Sequence, residues 1–433
     1  MAFDSEAFEE RRRLRKEAQE ERKRQQKKMR LRLIFAAVAL IAVIVTIFLL
    51  TRGEDAPAPV STVPPQVQAT EGTEPAGTDV TSQTTEPLVQ DTVIHLAAAG
   101  DLNITDRVVA AGGSAMDYTQ AFMDVGYLLG NADVSVLNLE GNLVGEPYGG
   151  TYFSAPQSLV QTLGKMGVDL IQLANSYSIR NGMSGLSSTI DGVRAAGMEP
   201  LGVYASREEF EENGGYTIVT VKGIRIAFVA FTKGMDGMTL PPDNTDCVNI
   251  LYTDYDMTYQ QVDFEKIGSV LTAVDREEPD LVVAMLHWGS EYNDTISSSQ
   301  EEICEFLQNS GVDAIIGTHS HYVQQMTFDP QKGQFLAYSL GDFFGDAGKS
   351  GSEYSVILDL EITKDGKTGK CKITGYDYTP IFTVAEGDAP LRVMRIHETM
   401  QAYEDGYMER VSSGVYEKME YALKRIEARI NGE

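Results

Sequence analysis

Six short apolar runs, each followed by a polar side chain, limit how this chain can fold more than any other feature of its sequence. Stretches with helical periodicity separate the runs, and this alternation predicts an α/β domain with buried strands. In open α/β sheets, ligands bind at the carboxyl ends of the strands. The runs and the motifs that end them are Val93–Ala99 with Gly100-Asp101, Val134–Leu137 with Asn138-Leu139-Glu140, Val168–Leu173 with Ala174-Asn175, Leu281–Leu286 with His287-Trp288-Gly289, Val312–Ile316 with Gly317-Thr318-His319-Ser320-His321, and Phe335–Leu340 with Gly341-Asp342.

The residue types at these strand ends are those of a metal site. Carboxylates, amides and imidazoles together suit Zn, Mn or Fe. Each residue alone also has a structural explanation, such as a helix N-cap for Asp101 or a turn cap for Asn175. In an extended segment, His319 and His321 would point to the same face, because one residue separates them. Taken together, the polar residues at the strand ends predict a divalent-metal site. Its ligands would be Asp101, Glu140, Asn175, His287, His319 and His321.

An uncharged apolar run from Leu33 to Leu50 divides the chain. Eighteen residues at about 1.5 Å each cover roughly 27 Å, close to the hydrocarbon thickness of a bilayer. Residues 1–32 carry twelve Lys/Arg against seven Asp/Glu, and such basic flanks stay cytoplasmic. We therefore predict a cytoplasmic tail (1–32), a transmembrane helix (33–51) and an extracytoplasmic remainder in a single-pass cell-membrane protein. A cleaved signal peptide is the alternative, disfavoured by the length of the run and by the lack of a small-x-small cleavage motif after it.

Residues 52–92 are predicted to form an extended linker, because Thr51–Thr92 contains six Pro and nine Thr and few large apolar residues. The formal net charge of the whole chain is −27. An acidic chain without a basic patch argues against a nucleic-acid partner. Cys247, Cys304 and Cys371 lie too far apart in sequence to indicate a disulfide framework or a zinc knuckle, and at most one pair could form.

Local patterns complete the predicted domain. Met183–Ala196 reads as a helix ended by Gly197. Turn residues at Lys222-Gly223 and at Asp365-Gly366 predict two hairpins. These elements favour a mixed sheet or two packed sheets with helices outside. Residues 386–433 are predicted to be helical, and the amphipathic stretch Met408–Ile430 would either pack on the domain or bind a partner.

The ordered motifs resemble those of bacterial capsule-synthesis proteins of the CapA (poly-γ-glutamate) type, a family related to calcineurin-like metallophosphoesterases. The resemblance runs from about Val93 to about Phe382. It implies a metallophosphatase-like sheet sandwich flanked by helices over residues 93–385. It also implies a partner that is either an anionic surface polymer or the machinery that makes it. Besides the strand-end motifs, the resemblance is carried by Phe153-Ser154-Ala155-Pro156, Gly185-Leu186 with Thr189, Ser290-Glu291-Tyr292, Tyr322-Val323-Gln324, and Tyr338-Ser339-Leu340 before Gly341-Asp342-Phe343.

One motif departs from the family pattern. The family has Ala-Asn-Asn-His with an Asp three residues beyond, where this chain has Ala174-Asn175-Ser176-Tyr177 and then Arg180. In related phosphoesterases the His protonates the leaving group, and a Tyr with a pKa near 10 is a poor replacement at neutral pH. Asp342 stands where the family commonly has Asn and adds a candidate ligand. The residues predicted to bind substrate are Arg180, Asn138, Tyr177, Glu291 and Asp342.

Two hypotheses stay open from the sequence. In the first, the protein is a metal-dependent hydrolase or transferase in the biosynthesis, anchoring or release of a surface polymer. In the second, it is a catalytically weak binding or assembly subunit that keeps the fold but lacks the family His and Asp. The retained His-x-His and His-Trp-Gly motifs favour the first, and Tyr177 with Arg180 favours the second.

Overall fold

The apolar runs form the central strands of two β-sheets. The structure is a computed structural model that describes residues 90–407 and 411–433. The predicted tail, the predicted membrane helix and nearly all of the predicted linker lie outside the described residues. Within the described ranges, no helix is both long enough and apolar enough to cross a membrane.

The first sheet has eight strands and a parallel centre. β1 to β4 are parallel neighbours, while β12, β13 and β14 continue the sheet on the other side of β1 in antiparallel fashion. The strands are β1 (Thr92–Asn103), β2 (Val134–Glu140), β3 (Leu170–Gln172), β4 (Glu199–Leu201), β11 (Asp342–Phe344), β12 (Tyr354–Lys364), β13 (Cys371–Val384) and β14 (Arg392–Arg395).

The second sheet has six strands, in the order β5-β6-β7-β8-β10-β9. Its four central strands, β6, β7, β8 and β10, are also parallel. The strands are β5 (Thr217–Val221), β6 (Ile224–Thr232), β7 (Leu281–His287), β8 (Ala314–Thr318), β9 (Met326–Asp329) and β10 (Gln334–Ala337).

Three hydrophobic layers hold the sheets and helices together. One layer lies between the sheets and joins residues such as Leu96 and Val136 to Val283 and Ile316. The other two lie on the outer faces, under helices. The predicted α/β fold with flanking helices is therefore confirmed. The helices are α1 (Asp106–Ala110), α2 (Gly126–Asn131), α3 (Gln157–Met166), α4 (Gly182–Ala195), α5 (Arg207–Asn213), α6 (Phe264–Asp275), α7 (Ser298–Asn309), α8 (Ile396–Glu404) and α9 (Ser413–Ile430).

Several local predictions agree with the structure. Both hairpins are present, as β5–β6 and β12–β13. Helix α4 coincides with the predicted helix to within one residue at each end, and Gly197 follows it with a φ of +83°. All three cysteines are free, two of them buried.

The predicted strand Phe335–Leu340 is present as β10, but it ends three residues earlier than predicted, and the chain then enters the other sheet. β10 ends at Ala337 in the six-stranded sheet, and β11 begins at Asp342 beside β1 in the eight-stranded sheet. The chain crosses between the sheets at Gly341, whose φ of +79° favours glycine. A continuous apolar run indicates burial but does not indicate which sheet buries it.

The segment after residue 385 is not wholly helical as predicted. β14 pairs with β13, and its neighbours Val393 and Met394 face two different hydrophobic layers, which is the two-residue period of a strand. α8 and α9 follow, and residues 408–410 of the predicted final helix lie outside the described residues. The apolar face of α9, which includes Met419 and Ile426, packs into the layer between the sheets.

Candidate metal centre

Six buried side chains converge where the central strands of the two sheets end. They form two groups, Glu140 with His287 and His319, and Asp101 with His321 and Asp342. Within each group, one potential ligand atom per residue lies within 4.8 Å of the others. Each group combines carboxylates from the eight-stranded sheet with imidazoles from the six-stranded sheet or from the loop after β8.

Two glycines let β1 and β11 approach closely enough to bring their carboxylates together. A Cβ on Gly100 would lie 1.8 Å from the carbonyl oxygen of Gly341, so only glycine fits there. The Asp101 backbone N–H donates to that same carbonyl oxygen at 3.0 Å. Asp101 and Asp342 are direct partners in the resulting parallel pair.

Asp101 links the two groups through hydrogen bonds. Its Oδ1 accepts from Asn138 Nδ2 at 2.6 Å, and its Oδ2 accepts from the His319 backbone N–H at 2.9 Å. His319 belongs to the other group, so one carboxylate contacts the backbone that carries a ligand of its neighbour. Asn138 Nδ2 also lies 3.4 Å from His287 Nδ1. A change at Asp101 would therefore reach both groups.

Asn175, predicted as a metal ligand, lies beside the groups and orients Asn138. Its Nδ2 donates to Asn138 Oδ1 at 3.0 Å and to the Leu139 carbonyl at 2.7 Å, while its Oδ1 accepts from the Tyr177 backbone N–H at 3.0 Å. Asn138, predicted to bind substrate, is completely buried between the two groups. The two amides thus fix the position of the strand ends.

The predicted geometry of His319 and His321 is wrong. β8 ends at Thr318, and the two histidines have φ values of +87° and +58°, so the segment that carries them is not extended. The rings consequently belong to different groups, with centroids 6.3 Å apart. Non-glycine residues with positive φ are uncommon and cluster at functional sites, where the surrounding structure holds them in place.

Burial and crowding oppose negative charge on Asp101 and Glu140. Burial raises the pKa of Asp101 to about 6. Burial also raises the pKa of Glu140 well above its usual value, and the charge of the neighbouring Asp101 raises it further. Such crowding of buried carboxylates would be relieved by a divalent cation.

The imidazoles differ in their electrostatics. Burial lowers the pKa of His287 and of His319 well below the usual value, so both are neutral at pH 7 and can bind a cation. Burial opposes protonation of His321 as well, but Asp342, with Oδ1 at 2.8 Å from Nδ1, raises its pKa well above the usual value. The mixed oxygen and nitrogen donors of both groups fit a divalent transition metal.

An open cleft of about 250 Å³ lies over the Asp101 group. Tyr177 lines it and stacks on Phe153 with 4.4 Å between ring centroids. Arg180 is not among the lining residues. Its guanidinium lies 4.6 Å from the Phe153 centroid and pairs with Asp236 at 3.2 Å. The lining includes Asn103, Glu140, Phe153, Tyr177, Glu291, Tyr292, His321, Asp342, Asp346, Lys349 and Ser352.

Several functional candidates were not predicted from the sequence. Tyr292 stacks on His321 with centroids 4.7 Å apart, and Lys349 Nζ lies 4.2 Å from the Tyr292 centroid. Thr318 Oγ1 and Ser176 Oγ lie 3.2 and 3.1 Å from the two ring nitrogens of His287. Tyr292 lies in the Ser290-Glu291-Tyr292 motif of the family resemblance, which was a signal for a site residue. No local sequence pattern marks Lys349 as a site residue.

Curated relatives are similar to part of this chain. The capsule biosynthesis protein CapA of Bacillus anthracis is 26% identical over 215 residues, covering 50% of this chain and 49% of that protein. The PGA biosynthesis protein CapA of Bacillus subtilis (strain 168) is 24% identical over 218 residues, covering 50% and 53%. The chain thus spans about half the length of the curated relatives it matches.

Solved structures resemble the fold at low identity. The calcineurin-like phosphoesterase YfkN of Bacillus subtilis is 14% identical with a TM-score of 0.42, covering 77% of this chain and 99% of that chain. A phosphatase of Mycoplasma pneumoniae is also 14% identical, with a TM-score of 0.39, covering 68% and 95%.

A family model matches the part of the chain that carries the site. It describes the bacterial capsule synthesis protein PGA_cap and covers residues 95–347, more than half of the chain. These residues include most of β1, all of β2 to β11 and every ligand candidate of the two groups. The chain therefore belongs to the PGA_cap family of bacterial capsule synthesis proteins.

Proposed function

We propose that this protein is a metal-dependent hydrolase or transferase that acts on an anionic surface polymer of the poly-γ-glutamate type during its synthesis, anchoring or release. The observation that carries this proposal is the pair of buried ligand groups, Glu140/His287/His319 and Asp101/His321/Asp342, at an open cleft. Buried carboxylates crowded beside imidazoles have little value for stability alone. Membership of a capsule-synthesis family supports the choice of polymer.

The residues of the site have two roles, to bind metal ions and to orient the metal-binding side chains. The six side chains of the two groups would hold a pair of divalent ions such as Mn, Zn or Fe. When bound, such ions polarise a scissile ester, amide or phosphodiester oxygen and lower the pKa of water. Thr318 and Asn138 orient the His287 ring, and Asn175 in turn holds Asn138.

Tyr177 supplies a hydrogen-bond donor rather than a strong acid. Burial raises the pKa of its phenol well above the usual value, and the charge of Glu140 raises it further, so the phenol remains protonated at neutral pH. It can orient the oxygen of a leaving group in the cleft. Without the family His, proton transfer to that oxygen is weak, which supports the second candidate function, a binding or assembly subunit of low catalytic power.

Lys349 is better placed than Arg180 to recognise an anionic substrate. Of the described residues that line the cleft, it is the one lysine or arginine, while Arg180 is paired with Asp236 outside the lining. The acidic composition of the chain opposes long-range attraction of a polyanion. Substrate recognition would therefore be local, at Lys349 and at bound cations.

The location of the protein is also part of the proposal. Its support is the apolar run within residues 33–51 and the basic residues that precede it. The domain would then lie outside the cytoplasm, near the membrane surface where a nascent polymer emerges. The linker predicted at residues 52–92 would separate the domain from the membrane.

Metal analysis of the full-length chain, purified in detergent, tests the site. We expect two divalent ions per chain, and we expect His319→Gln and His321→Gln each to lose one, since they belong to different groups. His397→Gln is the matched control, because His397 is exposed and lies outside the site. A metal-free wild-type protein, or two ions retained in both site variants, would contradict the proposal.

Restoring the missing acid separates the two candidate functions. Tyr177→His should raise turnover of substrates whose leaving group needs a proton, such as alkyl phosphodiesters and γ-glutamyl amides, by about 10²–10⁴-fold if only the acid is lacking. Turnover of p-nitrophenyl esters, whose leaving group departs without a proton, should change little. Tyr177→Phe is the control, since it keeps the stack on Phe153 without the hydroxyl. Efficient turnover by wild type would remove the weak-subunit candidate, and no turnover by any variant would remove the hydrolase.

A further inference from the structure

A buried arginine on the last helix contacts three loops of the cleft wall. Arg429 of α9 is only 8% exposed. We call residues 288–297, 319–325 and 345–353 the wall loops, because they carry Tyr292, His321 and Lys349, which line one side of the cleft. The three segments are separated from one another in sequence, and all of them lie far before α9 in the chain.

Each contact of Arg429 reaches a wall loop or its base. Nη2 lies 3.4 Å from Asp294 Oδ2 in the first loop, and the guanidinium stacks 4.4 Å from the centroid of Tyr322 in the second. Nη1 donates to the Tyr354 hydroxyl at 3.2 Å, at the base of the third. Tyr322 in turn donates to the Ser350 carbonyl at 2.9 Å. One side chain thus connects all three loops.

The wall loops also support His321. Tyr292 of the first loop stacks on the His321 ring, and the Tyr292 backbone N–H donates to the Ser320 carbonyl at 2.8 Å. Tyr322 directly follows His321. Both His321 and Tyr292 have positive φ, so their backbone conformations depend on surrounding contacts.

A buried charge is an inefficient way to attach a helix to a hydrophobic core. Removing a guanidinium from water costs free energy that an ion pair with a half-exposed Asp294 only partly recovers. An apolar residue at position 429 would pack α9 at lower cost, as Ile426 and Ile430 do. The contacts of Arg429 therefore indicate a positional role.

We propose that Arg429 is a positioning residue that holds the three wall loops together and thereby fixes His321 in the candidate metal centre. Its effect is largest on the Asp101/His321/Asp342 group, because His321 directly precedes Tyr322 and stacks on Tyr292. His319 begins the same loop, but its backbone N–H is held by Asp101, so the Glu140/His287/His319 group is affected less. The assignment of a metal to these groups rests on the proposed function, whereas the loop positioning does not.

Hydrogen exchange of the full-length chain tests the positioning without any metal. In Arg429→Met, hydrogen-bonded amides of the wall loops should exchange at least about tenfold faster, while amides of β2 keep their wild-type rates. Examples are the amides of Tyr292, which donates to the Ser320 carbonyl, and Gln324, which donates to the Ser339 carbonyl. Arg425→Met is the matched control, because Arg425 also lies near Asp294, at 3.6 Å, but is more exposed. Unchanged wall loops, or equal acceleration throughout the domain, would overturn the proposal.

Two further variants test the proposal if Arg429→Met does not fold. Arg429→Lys keeps the charge but cannot reach Asp294 and Tyr354 together, so it should recover only part of the protection. Asp294→Asn removes one partner and should accelerate exchange in residues 288–297 alone. Wild-type exchange in both variants would overturn the proposal.

Cobalt binding gives a second, spectroscopic readout. With Co²⁺ in place of the native metal, Arg429→Met should weaken one of two bound ions about 10–100-fold and change its visible absorption, while the affinity of the other ion changes less. Wild-type affinity for both ions, or the same loss at both, would limit Arg429 to a structural role and overturn the proposal. If wild type binds no Co²⁺, the proposed function fails, and hydrogen exchange alone decides the role of Arg429.

Discussion

The two sheets supply chemically different halves of one site. The eight-stranded sheet contributes the carboxylates Asp101, Glu140 and Asp342, while the six-stranded sheet and the loop after β8 contribute the imidazoles. The carboxylates of the oxygen side all lie on strands, although the register of β1 shifts at Asp101. On the nitrogen side, only His287 lies on a strand, and the other two histidines sit in a loop with positive φ. The comparison suggests that the oxygen side is held by its own sheet and the nitrogen side by contacts from elsewhere.

Replacing one ligand on each side would sharpen this comparison most. We expect Asp101→Asn to weaken both metal ions, one of them by more than about 100-fold, because Asp101 also accepts hydrogen bonds from Asn138 and the His319 backbone. His321→Gln should weaken only one. Titration calorimetry with Mn²⁺ checks this, with Asp243→Asn, at an exposed site, as the control. Two ions affected equally by both changes would break the distinction between the sides.

A smaller effect is expected from the glycines that close each sheet around the site. A Cβ on Gly100 would meet the Gly341 carbonyl at 1.8 Å, and one on Gly317 would meet the Tyr338 carbonyl at 1.9 Å. Alanine at either position should lower the free energy of unfolding by about 3 kcal/mol, measured by urea denaturation. Gly268→Ala in helix α6, where the nearest contact is 3.6 Å, should be neutral or stabilising. Comparable stability of all three variants would refute the close approach.

The smallest effect concerns pH and a buried carboxylate outside the site. Burial raises the pKa of Asp313, next to β8, to about 6 from an ordinary value of 3.8. The folded state therefore binds the proton more tightly, so the stability that this proton contributes is present below pH 3.8 and lost as the pH rises through 6. Asp313→Asn should gain about 2 kcal/mol relative to wild type between pH 4 and pH 8. Parallel pH curves in urea denaturation would contradict this expectation.

The sequence predicted the strand ends well because the chemistry there is local. Each apolar run indicates that its residues are buried. The polar residue that follows lies close to the end of the strand, since β1 ends at Asn103, two residues after Asp101, and His287 is the last residue of β7. The alternating pattern predicted parallel strands with helices outside, but it did not predict the order of the strands within the sheets. The hairpins were equally local, since Gly223 and Gly366 mark their turns.

The arrangement between the sheets could not be predicted in the same way. The crossing at Gly341, which places Asp342 beside Asp101, depends on packing between two sheets rather than on the local pattern. The backbone at His319 and His321 is likewise determined by contacts from distant segments. Arg429 reaches the site from a helix far along the chain, and no motif near position 429 indicates this.

The position of β12 shows that the part of the chain matched by the family model is smaller than the part that must fold together. The family match ends at residue 347, yet β12 pairs with β1 from Thr92 to Ala98 and fills the interior of the larger sheet. A protein cut at the end of the match would expose an unpaired strand edge and an apolar surface, both of which favour aggregation. Recombinant work on this family should therefore define its fragments by strand pairing, and for this chain the shortest useful fragment extends through α9.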